Sequence, residues 1–222
     1  MIQSPVQLSA VVITYNEEAC IERCILSLKE VADEIVVLDS YSTDRTAEIC
    51  QSLGVHFVQH VFDGYIEQKN RAWEMARGNY VLSLDADEAL SEVLLASITE
   101  EKRKGFPSDS YTMNRMTAIG TKWIRHGSWY PDRKLRLAKK ELAQWGGVNP
   151  HDKLILKKET KAVHFAGDIL HYSFRNMQAF RDQGERFSSI AAKAMFQNGK
   201  KHSLMKIYVS PVVAFQIGRA HV

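Results

Sequence analysis

The strongest constraint on this chain is an alternation of two periodicities over its first hundred residues. Leu8–Thr14 (LSAVVIT), Glu34–Asp39 (EIVVLD), Val55–Gln59 and Tyr80–Leu84 (YVLSL) are short apolar runs rich in branched side chains. Such runs are expected of strands buried on both faces. Between them, Glu17–Leu28 sets Ile21, Cys24, Ile25 and Leu28 at helical spacing. Thr43–Leu53 opens on a capping signature, Ser42 or Thr43 before Asp44, and stops at Gly54. Tyr65–Ala76 closes at Gly78, and Ser91–Lys104 is a further helix. Single helices between strands imply crossover connections, hence an α/β fold whose central, mostly parallel sheet is flanked by helices.

Such sheets bind ligands at the carboxyl ends of their strands. Three polar clusters fall there: Thr14-Tyr15-Asn16-Glu17-Glu18, Asp39-Ser40-Tyr41-Ser42-Thr43-Asp44 and Asp85-Ala86-Asp87-Glu88. One such cluster is an ordinary helix cap; three on one edge outline a site. Asp85 and Asp87 repel each other unless a cation intervenes. A hard divalent ion, Mg²⁺ or Mn²⁺, takes carboxylate oxygens and is completed by phosphate. The chain has neither a G-x-G-x-x-G turn nor a phosphate-binding G-x-x-x-x-G-K loop. Phosphate would then be held by metal and side chains, with Lys69 in Gln68-Lys69-Asn70 a candidate. Asp39 can accept a hydrogen bond from a base N–H, or simply cap the next helix.

These runs carry a resemblance. Val11-Val12-Ile13-Thr14-Tyr15-Asn16-Glu17-Glu18, then Asp33–Ser40 with Ser42-Thr43-Asp44, then Gln68-Lys69-Asn70, then Leu82-Ser83-Leu84-Asp85-Ala86-Asp87-Glu88 resemble the family 2 inverting glycosyltransferases of GT-A (Rossmann-like) fold. Trp129-Tyr130-Pro131-Asp132-Arg133-Lys134-Leu135-Arg136-Leu137 is similar to the subgroup that adds glucose to the inner core of bacterial lipopolysaccharide. The resemblance implies a nucleotide-sugar donor, UDP-glucose foremost, and a divalent metal. It places Asp39 on the uracil, Thr14 and Glu17 along the nucleotide with Tyr15, Asn16, Lys69 and Ala86, and Asp85 and Asp87 at the metal-diphosphate. It also offers His171 as a late metal ligand, ahead of His151 and His164; otherwise His171 is a core residue.

Breaking a sugar–phosphate bond requires stabilising charge on the departing diphosphate, which a metal does as a Lewis acid. The acceptor hydroxyl must lose a proton, and one positioned carboxylate outside the Asp85-Ala86-Asp87 cluster suits that. Asp152, after Gly146-Gly147 where a loop can approach ligand closely, is the first choice. Asp132, after the aromatic Trp129 and Tyr130, is the rival, and Glu88 a third. The first two have plainer readings: Asp152 as a surface carboxylate paired with Lys153, and Asp132 as a turn residue after Pro131.

The second half reads differently. Residues 1–105 carry 9 Lys/Arg against 18 Asp/Glu, a net of −9; residues 106–222 carry 20 against 8, a net of +12. Arg115, Arg133, Arg136, Lys157 and Lys158 are among the latter, and suit a phosphorylated lipid acceptor and an anionic inner-membrane surface. Nucleic acid is not expected, since no recognition motif is present and the pI is 8.7. Ser110–Ile119 and Lys134–Lys139 alternate like strands. Asn176–Gln197 reads as an amphipathic helix with Met177, Phe180, Phe187, Ile190, Ala191 and Ala194 as its stripe.

This divides the chain into a nucleotide-sugar-binding half (1–105), an acceptor-binding half of the same domain (106–175), a helical extension that looks truncated (176–215) and a tail, 216–222, that reads as a translated adapter. Three cysteines make no disulfide scaffold and point to reduced thiols in a cytoplasmic protein. No apolar run spans a bilayer and no signal peptide is evident. Alternatives are a transferase of the same fold with another donor or acceptor, a sugar-phosphate nucleotidyltransferase, which would want a Gly- and Arg-bearing loop after the first strand, and a non-catalytic binding module lacking a base.

Overall fold

The computed structural model describes residues 6–148, 151–158, 161–197, 199, 203 and 208–213. The expected tail at 216–222 and Pro150 lie outside the described residues. The chain forms two compact units, Met1–Arg115 with Arg133–His171, and Met116–Asp132 with Tyr172–Val222.

The first unit is α/β. Its elements are β1 (Leu8–Thr14), α1 (Ile21–Lys29), β2 (Glu34–Asp39), α2 (Thr46–Ser52), β3 (His56–Gln59), α3 (Tyr65–Met75), β4 (Tyr80–Asp85), β5 (Glu88–Leu90) and α4 (Glu92–Arg103). Then come β6 (Ser110–Ile119), which runs on into the second unit, β7 (Lys122–Trp123), β8 (Asp132–Lys139), β9 (Ala143–Val148), β10 (His151–Leu156) and β11 (Val163–Phe174). The main sheet has the order β3-β2-β1-β4-β8-β6-β11-β5, with β7 on β6. β3, β2, β1 and β4 are parallel neighbours, while β8 joins β4, and β5 joins β11, antiparallel.

Successive side chains of a strand point to opposite faces, and here both sets are apolar, so the sheet is buried on both faces. Leu8, Ala10 and Val12 of β1, Ile35 and Val37 of β2, and Tyr80, Leu82 and Leu84 of β4 pack with Ile21, Cys24, Ile25 and Leu28 of α1 and Leu94 and Ile98 of α4. Val11, Val36, Leu38 and Val81 face the other way, onto Ala72 and Trp73 of α3 and onto Ala143, Trp145 and Leu154 of the β9–β10 hairpin.

Two helix starts differ from the sequence expectation. α1 begins at Ile21, not Glu17, because Glu17 first makes a turn whose carbonyl accepts the N–H groups of Cys20 and Ile21, each at 2.9 Å. α2 begins at Thr46, not Thr43: Ser42 is drawn away to Asp39, and Asp44 Oδ1 takes the Thr46 N–H at 3.0 Å. α4 begins at Glu92 with Ser91 as its N-cap, which accepts from Leu94 N–H at 3.3 Å and from Asp168 N–H at 3.0 Å. Just before Asp168, Gly167 adopts φ +90°, and a Cβ there would stand 2.3 Å from the Leu94 nitrogen.

The stretch expected as a glycine loop at Gly146-Gly147 is instead strand. Gly147 pairs with Asp152 and Gly146 with Lys153 in a separate two-stranded sheet. A Cβ on Gly146 would sit 2.8 Å from Ile155 Cδ1, so the glycine serves close side-chain packing. Cys20, Cys24 and Cys50 are free thiols.

The second unit holds β7, the carboxyl end of β11 and α5 (Met177–Gln197). Trp129, Phe174 and Phe180 form its aromatic cluster, with Phe174 and Phe180 5.1 Å apart edge to face. Of the expected α5 stripe, Met177 is exposed; the side chains of Phe187, Ile190, Ala191 and Ala194 lie outside the described ones. No described helix is long and apolar enough to cross a membrane.

Candidate active site

Register brings the polar clusters together. Thr14 is the pairing partner of Asp39, and Ile13 of Asp85, so the carboxyl ends of β2, β1 and β4 share one edge. On one side of that edge the loops after β1 and β2 lock onto each other. Asn16 takes φ 54°, a left-handed conformation that asparagine tolerates better than most residues. Its Oδ1 accepts Thr43 N–H at 2.8 Å and its own N–H donates to Ser42 Oγ at 2.8 Å. Glu17 N–H donates to Thr46 Oγ1 at 2.9 Å.

Asp39 is fully buried and accepts from Ser42 N–H and Gln59 Nε2, each at 2.9 Å, and from the Ser42 hydroxyl. Its carboxylate braces the loop and does not cap α2, whose N-cap position is Arg45, so the capping alternative is not what the structure shows; an acceptor-only carboxylate with about four lone-pair sites has one left over. Thr14 Oγ1 is buried with no hydrogen-bond partner. Tyr15 and Tyr41 stand exposed on this side.

On the other side lies a chain of buried charges. Lys69 Nζ is 2.8 Å from Asp85 Oδ1 and 2.8 Å from Asp152 Oδ2. Arg136 from β8 reaches Asp85 Oδ2 at 3.2 Å and Glu88 Oε1 at 3.0 Å, and Arg115 lies 3.8 Å from the same Glu88 oxygen. Glu88 also accepts the Asp85 N–H at 2.9 Å. Burial opposes ionisation of Asp85, but the charges of Lys69 and Arg136 outweigh it and hold its carboxyl well below the usual range. Burial likewise opposes the Arg136 cation, and Glu88 and Asp85 reverse that. The Trp145 ring covers both cations, 4.4 Å from Lys69 Nζ and 5.4 Å from the Arg136 guanidinium carbon.

Asp87 points elsewhere. Its Oδ2 is 3.1 Å from His171 Nε2 on β11. Burial disfavours the imidazolium, yet the hydrogen bond to Asp87 and its charge raise the His171 pKa above the ordinary value. Among the described residues no group of three or more His, Cys, Asp or Glu side chains is gathered for a metal. The expected set Asp85, Asp87 and His171 therefore divides: Asp85 is engaged by two cations, and Asp87 and His171 form a pair. A carboxylate and an imidazole fit a divalent ion whose remaining positions come from phosphate and water.

Lys69 is neither a solvated helix lysine nor visibly free for phosphate; it bridges two carboxylates. Ala86 is buried between the two aspartates. Asp132 opens β8 and belongs to the second unit.

Arg136 was grouped by sequence with the basic surface, and the structure corrects this: it is 4% exposed and sits inside the acidic cluster. Its flanks, Leu135 and Leu137 on a strand, carry that signal. Trp145 and Asn70 had no readable signal, because their roles depend on a hairpin docking on α3.

The family model "Glycosyl transferase family 2" matches residues 9–179, which include every residue of this group. An uncharacterized glycosyltransferase of Rickettsia bellii is 32% identical over 219 residues, covering 90% of this chain and 71% of that one. The lipopolysaccharide core biosynthesis glycosyltransferase LpsC of Rhizobium meliloti is 27% identical over 218 residues, covering 94% and 78%. Among solved structures, S. aureus TarS (residues 1–349) is similar at a TM-score of 0.47 and 21% identity, over 61% of this chain and 48% of that one. The chain thus spans about half the length of that solved relative. With a buried-strand sheet edge bearing Thr14, Asp39 and the Asp85-Ala86-Asp87 run, and a family match across most of its length, the chain is a glycosyltransferase and belongs to glycosyl transferase family 2.

Proposed function

We propose that the chain is an inverting, metal-dependent transferase that moves a hexose, glucose from UDP-glucose foremost, to an inner-core sugar of lipopolysaccharide. The observation that supports this is the register of β2, β1 and β4, which brings Asp39, read here as the partner of the base, and the Asp85-Ala86-Asp87 run to one edge. The nucleoside lies along Thr14, Tyr15, Asn16, Glu17 and Asp39. The orphaned Thr14 hydroxyl supports this, since a buried unpaired hydroxyl costs about 1–3 kcal/mol until a partner arrives.

Asp87 and His171 would hold Mg²⁺ or Mn²⁺, and the bound ion would neutralise charge developing on the leaving diphosphate. Asp85, ionised and clamped by Lys69 and Arg136, orients donor hydroxyls with fixed acceptor oxygens beside Ala86. Asp152 takes the acceptor proton as general base, a role worth about 10²–10⁴-fold. Asp132 is the rival for that role.

The lipopolysaccharide acceptor is supported by the likeness to LpsC, and by the net of +12 over residues 106–222, which suits a phosphorylated glycolipid at an anionic membrane face. On this reading the enzyme works in the cytoplasm, peripheral on the inner face of the inner membrane.

The test is a donor screen across UDP-, GDP- and TDP-sugars, with and without EDTA, on lipopolysaccharide core acceptors. UDP-glucose turnover that EDTA stops is the expected result. Metal-independent turnover, or preference for a GDP-sugar, rejects the assignment. Within it, Asp152→Asn should bind UDP and lose transfer; if Asp132→Asn does so instead, the base is Asp132.

A further inference from the structure

Lys69 stands where a phosphate ligand is wanted, yet its surroundings point to the acceptor side of the reaction. The side chain is 5% exposed. An ammonium has three donors and no acceptor capacity. Two are committed to carboxylates, Asp85 and Asp152, and an aromatic face, Trp145, closes over the nitrogen at 4.4 Å. The next residue, Asn70, holds the Trp145 main chain by both its N–H and its carbonyl. Consecutive residues of α3 therefore fasten the β9–β10 hairpin, one through the backbone of Trp145 and one through the carboxylate of Asp152.

The charges that face Asp152 come from three elements: Lys69 on α3, Arg136 on β8, and Asp85 on β4. Only 10% of the Asp152 side chain is exposed. Of the two cations, Lys69 is the one in direct contact, and it touches both aspartates at once.

We infer that Lys69 is a positioning residue for Asp152: it fixes the direction of that carboxylate and links it to the donor-side Asp85 through one shared ammonium. The inference rests on reading Asp152 as the general base. It assigns Lys69 to the proton-accepting side rather than to the diphosphate, and so separates two effects that a phosphate ligand would combine.

The experiment compares wild type, Lys69→Met, Lys69→Arg and Asp152→Asn in the full chain. Turnover is measured at saturating donor on a lipopolysaccharide core acceptor, and UDP with Mg²⁺ is the binding probe. In Lys69→Met turnover should fall about tenfold or more, UDP affinity should stay within about threefold, and Lys69→Arg should restore most of the turnover. Unchanged turnover in Lys69→Met overturns the inference, as does UDP binding tenfold or more weakly, the mark of a phosphate ligand. If Lys69→Met does not fold, Lys69→Gln takes its place and the same split decides. Glycosyl transfer that survives in Asp152→Asn overturns the base reading and this inference with it. Loss of transfer there, with unchanged turnover in Lys69→Met, overturns the inference alone.

Discussion

Asn70 and Trp145 exchange two hydrogen bonds across 75 residues of sequence: Trp145 N–H donates to Asn70 Oδ1 at 2.9 Å, and Asn70 Nδ2 donates to the Trp145 carbonyl at 3.0 Å. A side-chain amide has one acceptor and two donors, so one asparagine completes a main chain much as a neighbouring strand would. Removing it by Asn70→Ala orphans both backbone groups, at about 1–3 kcal/mol. Hydrogen exchange should show protection over residues 143–156 falling about tenfold or more while β1, β2 and β4 keep theirs. Uniform loss across the sheet would mean that the hairpin is not fastened there.

Arg136 is the cation whose removal should harm the fold most. It is buried between Asp85 and Glu88 and donates to the Ser83 carbonyl at 3.4 Å. Breaking such a pair leaves uncompensated charge and costs about 3–5 kcal/mol. Arg136→Gln should lower the urea midpoint accordingly, and adding Glu88→Gln should recover part of the loss. A midpoint unchanged by Arg136→Gln would contradict the buried network.

Asp87→Ala should abolish transfer and weaken Mn²⁺ binding while the fold survives, since the Asp87 side chain is partly exposed at the end of the sheet. The same change removes the partner that raises His171. Burial then acts unopposed by it, so the His171 titration, followed by ring-proton NMR, should move to lower pH. Full turnover in Asp87→Ala, or an unmoved His171, would refute the pairing.

Asp33 gives a pH dependence of stability away from the site. Its Oδ2 accepts the N–H groups of Gln7 and Leu8, each at 3.0 Å, and its Oδ1 meets Lys102 Nζ at 2.5 Å. Partial burial raises its pKa, but the Lys102 and backbone hydrogen bonds outweigh this and lower it. A depressed folded-state pKa stabilises above the unfolded value, near 3.9, and the contribution fades as pH falls through the folded one. Asp33→Asn should therefore destabilise most near pH 7 and progressively less below about pH 4, by thermal melts across the range. A penalty independent of pH would deny the carboxylate its charge-based role.

The parallel half of the fold was legible because two periods dominate it: β1, β2 and β4 are apolar runs, and α1 shows its stripe directly. The strand-end clusters were legible for the same reason, since a polar run after a buried strand has only one place to go. What escaped were features fixed by distant partners. Ser42 reads as a helix cap until Asp39 and Asn16 compete for it. Gly146 and Gly147 read as a loop because glycine weakens a strand, and only Ile155 across the hairpin explains why a strand needs one there. Arg136 reads as surface charge because its partners, Asp85 and Glu88, lie some fifty residues away and on another strand.

The strand register described above makes the sheet a fixed gauge. Asp39 and Asp85 stand on either side of β1, two strand spacings apart, or roughly 9–10 Å. That interval is set by backbone hydrogen bonds, so no side-chain substitution can stretch it, and a one-residue slip would exchange the two buried faces of the strand. A donor whose base-to-phosphate length differs must therefore be accommodated by the loops after the strands, and variants that change donor length should arise at residues 15–18, 40–45 and 86–88 while the strands themselves stay unaltered.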